Sequence, residues 1–173
     1  MDYPSIDDCV RFHGHLCGGV TLGYVMAKFA MEQISAGKED ALYCICEFQN
    51  CMTDAVQMVT GCTAGKGNLA VRPIGKRALT LIRKDTGKGV RVTAEFQFPS
   101  DVPKSESAMS VFEQAPETFC RAEEVTIPVP QKAASEYGYC PVCNEEYNTR
   151  VSVKVGETLM CPDCAARTQG DRR

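Results

Sequence analysis

Two Cys-X-X-Cys pairs, Cys140-Pro-Val-Cys143 and Cys161-Pro-Asp-Cys164, constrain this chain more than any other feature. The 17 residues between them fall inside the spacing of four-cysteine zinc modules. Each pair bends its backbone so that two sulfurs point inward, and two such knuckles complete a tetrahedron with Zn–S near ~2.3 Å. Tyr147, Val151, Val153 and Val155, followed by Gly156, predict a small β-hairpin between the pairs. Its apolar surface is too small to offset the chain entropy without an ion. Four sulfurs leave no open coordination position, so the reading is a structural Zn²⁺ site; a redox dithiol or a rubredoxin-like iron are the alternatives. Ala165-Ala166-Arg167 adds a short helix after the second pair, which suits a treble-clef or ribbon finger. Glu145, Glu146, Glu157 and Asp163 set against Arg150, Lys154 and Arg167 leave no basic face. Protein is therefore the expected contact, and nucleic acid is not.

The remainder of the 173 residues holds one domain of ordinary size, and 44% apolar with 24% charged residues gives it a normal core. Alternating prolines in Ile127-Pro128-Val129-Pro130 block both helix and ladder. The expected organisation is a core domain over 1–126, a linker over 127–137 and a finger over 138–173, with a frayed polar tail from Arg167 to Arg173. Within the core, Ser5 and Asp8 form a capping-box pattern that opens a helix over Ile6 to Phe12. Val20, Tyr24, Ala27, Met31 and Ile34 lie on one face of a second helix ended by Gly37. Leu42 to Phe48 alternates as a strand, and Thr53 caps a short helix that stops at Gly61. Arg77 to Lys84 and Gly89 to Phe98 pair as a hairpin, and a third helix falls between Val102 and Gln114.

The formal charge of −3 excludes a generic polyanion binder. Between Lys66 and Arg91, however, eight basic residues face Asp85 alone. The simplest reading is an edge hairpin protected by charge, with Arg77, Arg83 and Arg91 on a solvated face; an anion-docking surface is the alternative. The acidic start lacks the basic and apolar regions of a signal peptide. Val20 to Met31 is interrupted by Lys28 and falls short of the roughly 20 residues of a membrane span. A cytoplasmic protein without membrane contact is expected. In that reducing compartment, eleven cysteines point to metal or reactive thiols in preference to disulfides.

Both histidines of the chain lie in His13-Gly-His15-Leu-Cys17. If the segment is extended, imidazole, imidazole and thiol point to one side and can share Zn²⁺ or another borderline transition metal. The competing reading is a turn whose histidines cap the following helix. Cys51 precedes the Thr53 helix, where free N–H groups favour a thiolate, so it is the expected fourth ligand, with Asp54 one turn on. Cys62 follows the far end of that helix, roughly 12 Å away, and is a pocket residue unless the helix is shorter. Cys9, Cys44, Cys46 and Cys120 read as packing thiols. Gly61 to Asn68 fails the phosphate-loop pattern, yet its glycines and Lys66 can still form an anion nest.

HGHLCGGVTLGYVMA, NCMTDAVQMVTGCTAGKGNL and GKGVRV together resemble the FmdE family, named after a component of molybdenum formylmethanofuran dehydrogenase, over about residues 5 to 100. The terminal CPVC and CPDC resemble the zinc-finger extension of some members. The resemblance implies an α+β fold, a mixed β-sheet flanked by helices with a thioredoxin-like core, and a metal-binding active site. Its HGHxC motif falls on His13, His15 and Cys17, its thiol–Asp motif on Cys51 and Asp54, and its GCTxGKGN motif on Cys62, Lys66 and Asn68. Gly18 stands where the family usually has proline. Two functions from different classes follow. One is an accessory metalloprotein, a homo-oligomer, docking on a molybdenum or tungsten oxidoreductase of anaerobic one-carbon metabolism related to methanogenesis. The other is a stand-alone zinc enzyme acting on a small formyl- or amide-bearing substrate, with Cys17, Asp54 and Lys66 as its catalytic candidates.

Overall fold

In the computed structural model, which describes residues 3–37, 39–130 and 134–170, Ser5 opens helix α1 (Ile6–His13) with both halves of the expected capping box in place. Gly14 closes that helix at φ 99°, a left-handed conformation that glycine adopts without strain. Helix α2 (Gly18–Gln33) follows four residues after the end of α1. Its buried residues occupy nearly its whole circumference, as befits a helix inserted between other elements and not laid on a surface. Helix α3 (Cys51–Thr60) starts two residues earlier than its expected cap. Asn50, not Thr53, accepts from the Met52 N–H at 3.0 Å, and Thr53 Oγ1 instead donates to the Phe48 carbonyl. The expected third helix is short, α4 (Lys104–Met109), and tightens into a 3-10 turn over Ser110–Glu113.

The core sheet has five strands: β1 (Leu42–Cys46), β2 (Leu69–Val71), β3 (Ala78–Arg83), β4 (Lys88–Ala94) and β5 (Cys120–Thr126). They lie in the order β2-β1-β3-β4-β5, with β1 and β2 parallel and the other pairs antiparallel. The β1–α3–β2 crossover beside an antiparallel hairpin is the strand order of a thioredoxin-like sheet, here extended by β5. The fold is α+β, as expected. Cys44, Cys46, Leu79, Leu81, Val90 and Val92 face the helices and belong to the main core. Cys9, Cys44, Cys46 and Cys120 are all buried thiols within it.

The hairpin β3–β4 is central, which corrects the reading of an edge protected by charge. The edges are β2 and β5, and neither has a hydrophobic alternation long enough to announce itself. Two of the hairpin's arginines are neutralised: Arg83 contacts Asp40 at 3.0 Å, and Arg91 forms a fork with Glu47 at 2.6 and 2.8 Å. Arg91 holds the Glu47 carboxyl below its usual range. A lowered folded pKa contributes stability above the unfolded value of about 4.3 and loses it as the pH falls through the folded one. Glu47→Gln is therefore expected to cost roughly 2 kcal/mol at neutral pH, through a half-buried guanidinium that loses its counter-charge and one of its two acceptors. In urea unfolding, that deficit should shrink as the pH is lowered and the wild-type carboxylate is itself protonated.

The chain divides into two compact units, Met1–Pro130 and Gln131–Arg173. In the second, β6 (Tyr137–Tyr139) pairs with β7 (Glu146–Asn148), and β8 (Val153–Val155) pairs with β9 (Thr158–Met160), ahead of α5 (Pro162–Gly170). This knuckle, hairpin and helix order is that of a treble clef. Part of the expected linker, residues 131–133, and the end of the expected tail, residues 171–173, lie outside the described residues. No helix among the described residues is long and apolar enough to cross a membrane.

Candidate functional site

The second unit is built around its sulfurs. Cys140, Cys143, Cys161 and Cys164 bring their Sγ atoms within 4.8 Å of one another. Cys140, Cys164, Met160 and Ala165 are the buried residues of a very small cluster. The Cys161 N–H donates to Cys140 Sγ at 3.4 Å, and the Cys164 N–H to Cys161 Sγ at 3.5 Å. Backbone N–H groups, that of Cys161 foremost, pull the Cys140 thiol down to about 6. Burial pushes Cys164 up to about 12. A set of four sulfurs suits a soft or borderline cation, and the cluster could hold a metal ion.

In the first unit, the site is made by three helix ends. His13 is the last residue of α1, Cys17 is the residue before α2, and Cys51 opens α3. One donor atom from each lies within 4.8 Å of the other two. The segment from His13 to Cys17 is thus a helix end, a turn and a helix start, and not the extended run expected from the alternation of its side chains. Consequently, His15 does not join the group. It is exposed, and its ring lies tilted beside that of His13 with centroids 4.5 Å apart.

Asp54 fixes the chemistry of His13. Its Oδ2 lies 2.8 Å from His13 Nδ1, and an ionised carboxylate can only accept, so Nδ1 carries a proton and Nε2 is the nitrogen through which the neutral ring can bind a metal. Nε2 faces Cys17 Sγ at 3.9 Å. A carboxylate–imidazole pair of this kind orients a metal-binding histidine and raises its basicity. Burial, followed by its contact with Cys17, raises the Cys51 thiol. Two sulfurs and one imidazole are the donor set of a borderline metal with a fourth position open.

Glycines let these helices meet. A Cβ on Gly19 would lie 2.7 Å from Cys51 Cβ, and one on Gly23 would lie 2.6 Å from the Met52 carbonyl oxygen. Only bare backbone at both positions allows α3 to bring Cys51 up to Cys17. The far end of α3 carries the other candidates. Cys62 is fully buried, and Lys66 lies on an exposed turn, its Nζ donating to the Gly61 carbonyl at 3.2 Å. They lie beyond the end of the ten-residue α3 that Cys51 opens, on the order of 15 Å away. Neither is brought into the His13 group. Asn68 is structural: it accepts from the Thr63 N–H and donates to the Leu42 carbonyl.

The family model described as "FmdE, Molybdenum formylmethanofuran dehydrogenase operon" matches residues 12–136, which include all three helix ends. The chain belongs to the FmdE family. The crystal structure of a tungsten formylmethanofuran dehydrogenase FmdE-like protein from Syntrophus aciditrophicus is similar, with a TM-score of 0.72 and 27% identity over 97% of this chain and 98% of that one. A "Probable S-adenosyl-L-methionine-binding protein" of Archaeoglobus fulgidus is 46% identical over 89 residues, 47% of this chain. The match covers 24% of that longer relative. The finger cysteines lie beyond the matched residues of the FmdE model.

Within the FmdE unit, Gly18 has a physical role of its own. The ring of Phe98 lies 2.9 Å from where a Cβ would stand, so the aromatic side chain packs on bare backbone. Phe98 also lines a cavity of about 560 Å³ that opens beside Cys17 and His15. Arg77, from the basic stretch whose alternative reading is an anion-docking surface, lines the same cavity, as does Lys104, which nothing in the sequence marks as a site residue. A larger cleft of about 770 Å³, between the end of α2 and β4–β5, contains none of the candidate ligands.

Proposed function

We propose that this FmdE-family protein is an accessory metalloprotein of a molybdenum- or tungsten-containing oxidoreductase of the formylmethanofuran dehydrogenase type. It holds a structural zinc in its finger and a second, more labile transition metal on His13, Cys17 and Cys51. The observation that carries this reading is the convergence of those three donor atoms, with Asp54 locked on the remote nitrogen of His13. A site with an open position exchanges its ion more readily than a closed four-sulfur one. When bound, the second ion supplies Lewis acidity or a docking point for a ligand atom.

The alternative is an independent zinc enzyme, and its requirement for a free acid or base separates the two readings. Asp54 is occupied in orienting His13, and Lys66 sits beyond the other end of α3. His15 remains as the exposed titratable group beside the cluster. This balance supports the accessory role, as does the association of the family with the formylmethanofuran dehydrogenase operon. A cytoplasmic homo-oligomer is the setting that fits such a role.

Metal analysis tests the site. The purified chain is expected to carry two ions, one of which is lost on dialysis against a mild chelator. Cys17→Ser should abolish binding of that labile ion with an unchanged circular dichroism spectrum, and Asp54→Asn should weaken it by roughly 10- to 100-fold. Full retention of two tightly bound ions in both variants would sink the assignment. Turnover of a formyl or amide substrate by the isolated chain would favour the enzyme instead.

A further inference from the structure

We propose that the cavity beside the His13 cluster is a binding site for a small organic anion, with its charged head on Arg77 and Lys104 and its apolar body on Leu22, Met52 and Phe98. The inference deepens the metal-site reading and takes the same open position as the place where such a molecule would end. Three observations converge on it.

The first is size and lining. A cavity of about 560 Å³ is in the range that takes small molecules rather than single ions. Leu22, Met52 and Phe98 give it an apolar wall, and Gly18 and Gly19 leave backbone bare where side chains would narrow it. The second is charge. Arg77 and Lys104 line the cavity, and no carboxylate is among its described lining residues.

The third is that these charges are uncommitted. Arg83 and Arg91, from the same basic stretch, are neutralised by Asp40 and Glu47. Arg77 instead donates from Nη1 to the Phe96 carbonyl at 2.8 Å, a contact that orients the guanidinium without cancelling its charge. The planar fork of an arginine so held matches a carboxylate or a phosphate, and the lysine adds a point charge. Cys17 and His15 line the same cavity, so a molecule anchored by its anionic head has its other end at the cluster.

The test is an equilibrium titration of the full zinc-replete chain, followed by NMR chemical shifts, with three probes of one shape: benzoate, phenyl phosphate and the neutral benzamide. At least one anion is expected to bind about tenfold more tightly than benzamide, and which anion does so tells a carboxylate from a phosphate ester. Arg77→Gln and Lys104→Gln should each weaken that anion about tenfold, and Arg77→Lys by less, since it keeps the charge and loses the fork. Lys104 is exposed at the start of α4 and has no acidic partner among the described residues, so its variant stays informative if Arg77→Gln fails to fold. Benzamide binding as tightly as both anions, or affinity unchanged in Lys104→Gln and Arg77→Lys, would overturn the proposal.

Cys17→Ser separates this inference from the metal reading. Anion binding that persists there, in a sample shown to lack the labile ion, supports the cavity site whatever the metal does. A labile ion present in the wild type with no preference for either anion refutes the cavity site alone.

Discussion

Cys161→Ser is expected to release one zinc per chain and to unfold the second compact unit, while the first keeps its secondary structure. The physical reason is the size of the apolar cluster there. Cys140, Met160, Cys164 and Ala165 are its buried residues, and two of these four are themselves candidate ligands. Around them stand exposed Tyr137, Tyr139, Val142, Val151 and Leu159, so little hydrophobic surface is removed from water. Structural zinc in modules of this kind supplies about 10–16 kcal/mol at neutral pH, comparable to the whole stability of an ordinary domain. A chromogenic chelator would count the released ion. Limited proteolysis would locate new cuts after Pro130, with a protected fragment before it. Full zinc content and unchanged resistance after Pro130 would refute the assignment.

The second large effect is expected from the smallest substitution. Exchanging glycine for alanine inside a helix ordinarily stabilises it by up to about 1 kcal/mol. At Gly23 the sign should reverse. A methyl group there would stand 2.6 Å from the Met52 carbonyl oxygen and 2.7 Å from its Cα, and backbone cannot swing aside as a flexible side chain can. Separating α2 from α3 in an overpacked interface costs about 1–3 kcal/mol. The same displacement carries Cys51 away from Cys17, so the labile metal should be lost from Gly23→Ala even where the protein remains folded. Gly65→Ala is the control, since nothing lies within 4 Å of its added methyl group. Thermal unfolding and metal content, measured on both variants, decide the matter; a Gly23→Ala protein as stable as wild type with two ions would show that the helices adjust.

Much of this architecture is legible in the sequence because its signals are local. The Ser5–Asp8 box, the glycine after His13 and the stop at Gly61 act within a few residues, and the helices begin and end close to them. The cap of α3 is ambiguous because Asn50 and Thr53 are both good caps, and only the path of the preceding chain selects between them. Strands β2 and β5 escape notice for a related reason. Leu69–Val71 is too short for a period to register, and Cys120–Thr126 is polar along most of its length because it is an edge. The central place of β3–β4 follows from those two strands and cannot be read without them.

The candidate site is legible as a set of residue types and illegible as a geometry. Cys17, Cys51 and Asp54 stand out by chemistry, yet what excludes His15 is a single left-handed glycine between two helices. The role of Asp54 depends on which imidazole nitrogen it faces. A repeat of small residues at Gly19 and Gly23, four apart on α2, is the one signal in the sequence that could announce the close helix pair. Arg77 and Lys104 come from distant segments and meet only around a cavity, so no spacing pairs them.

The two clusters differ in how far apart their members lie along the chain, and this bears on how each would acquire the ion proposed for it. All four finger sulfurs fall within one stretch from Cys140 to Cys164, so they can find an ion before anything else has formed. His13, Cys17 and Cys51 come together only after α1, α2 and α3 have docked. In an unfolded chain of eleven cysteines, an ion offered early has many wrong sulfur pairs to choose from, and each would tether the chain in a loop that the native sheet does not contain. If both sites bind metal as proposed, loading would be a matter of timing as well as affinity: the finger would tolerate metal from the outset, whereas the helix-end site would be best filled last, once Cys44, Cys46 and Cys62 have been sealed inside the core and can no longer compete.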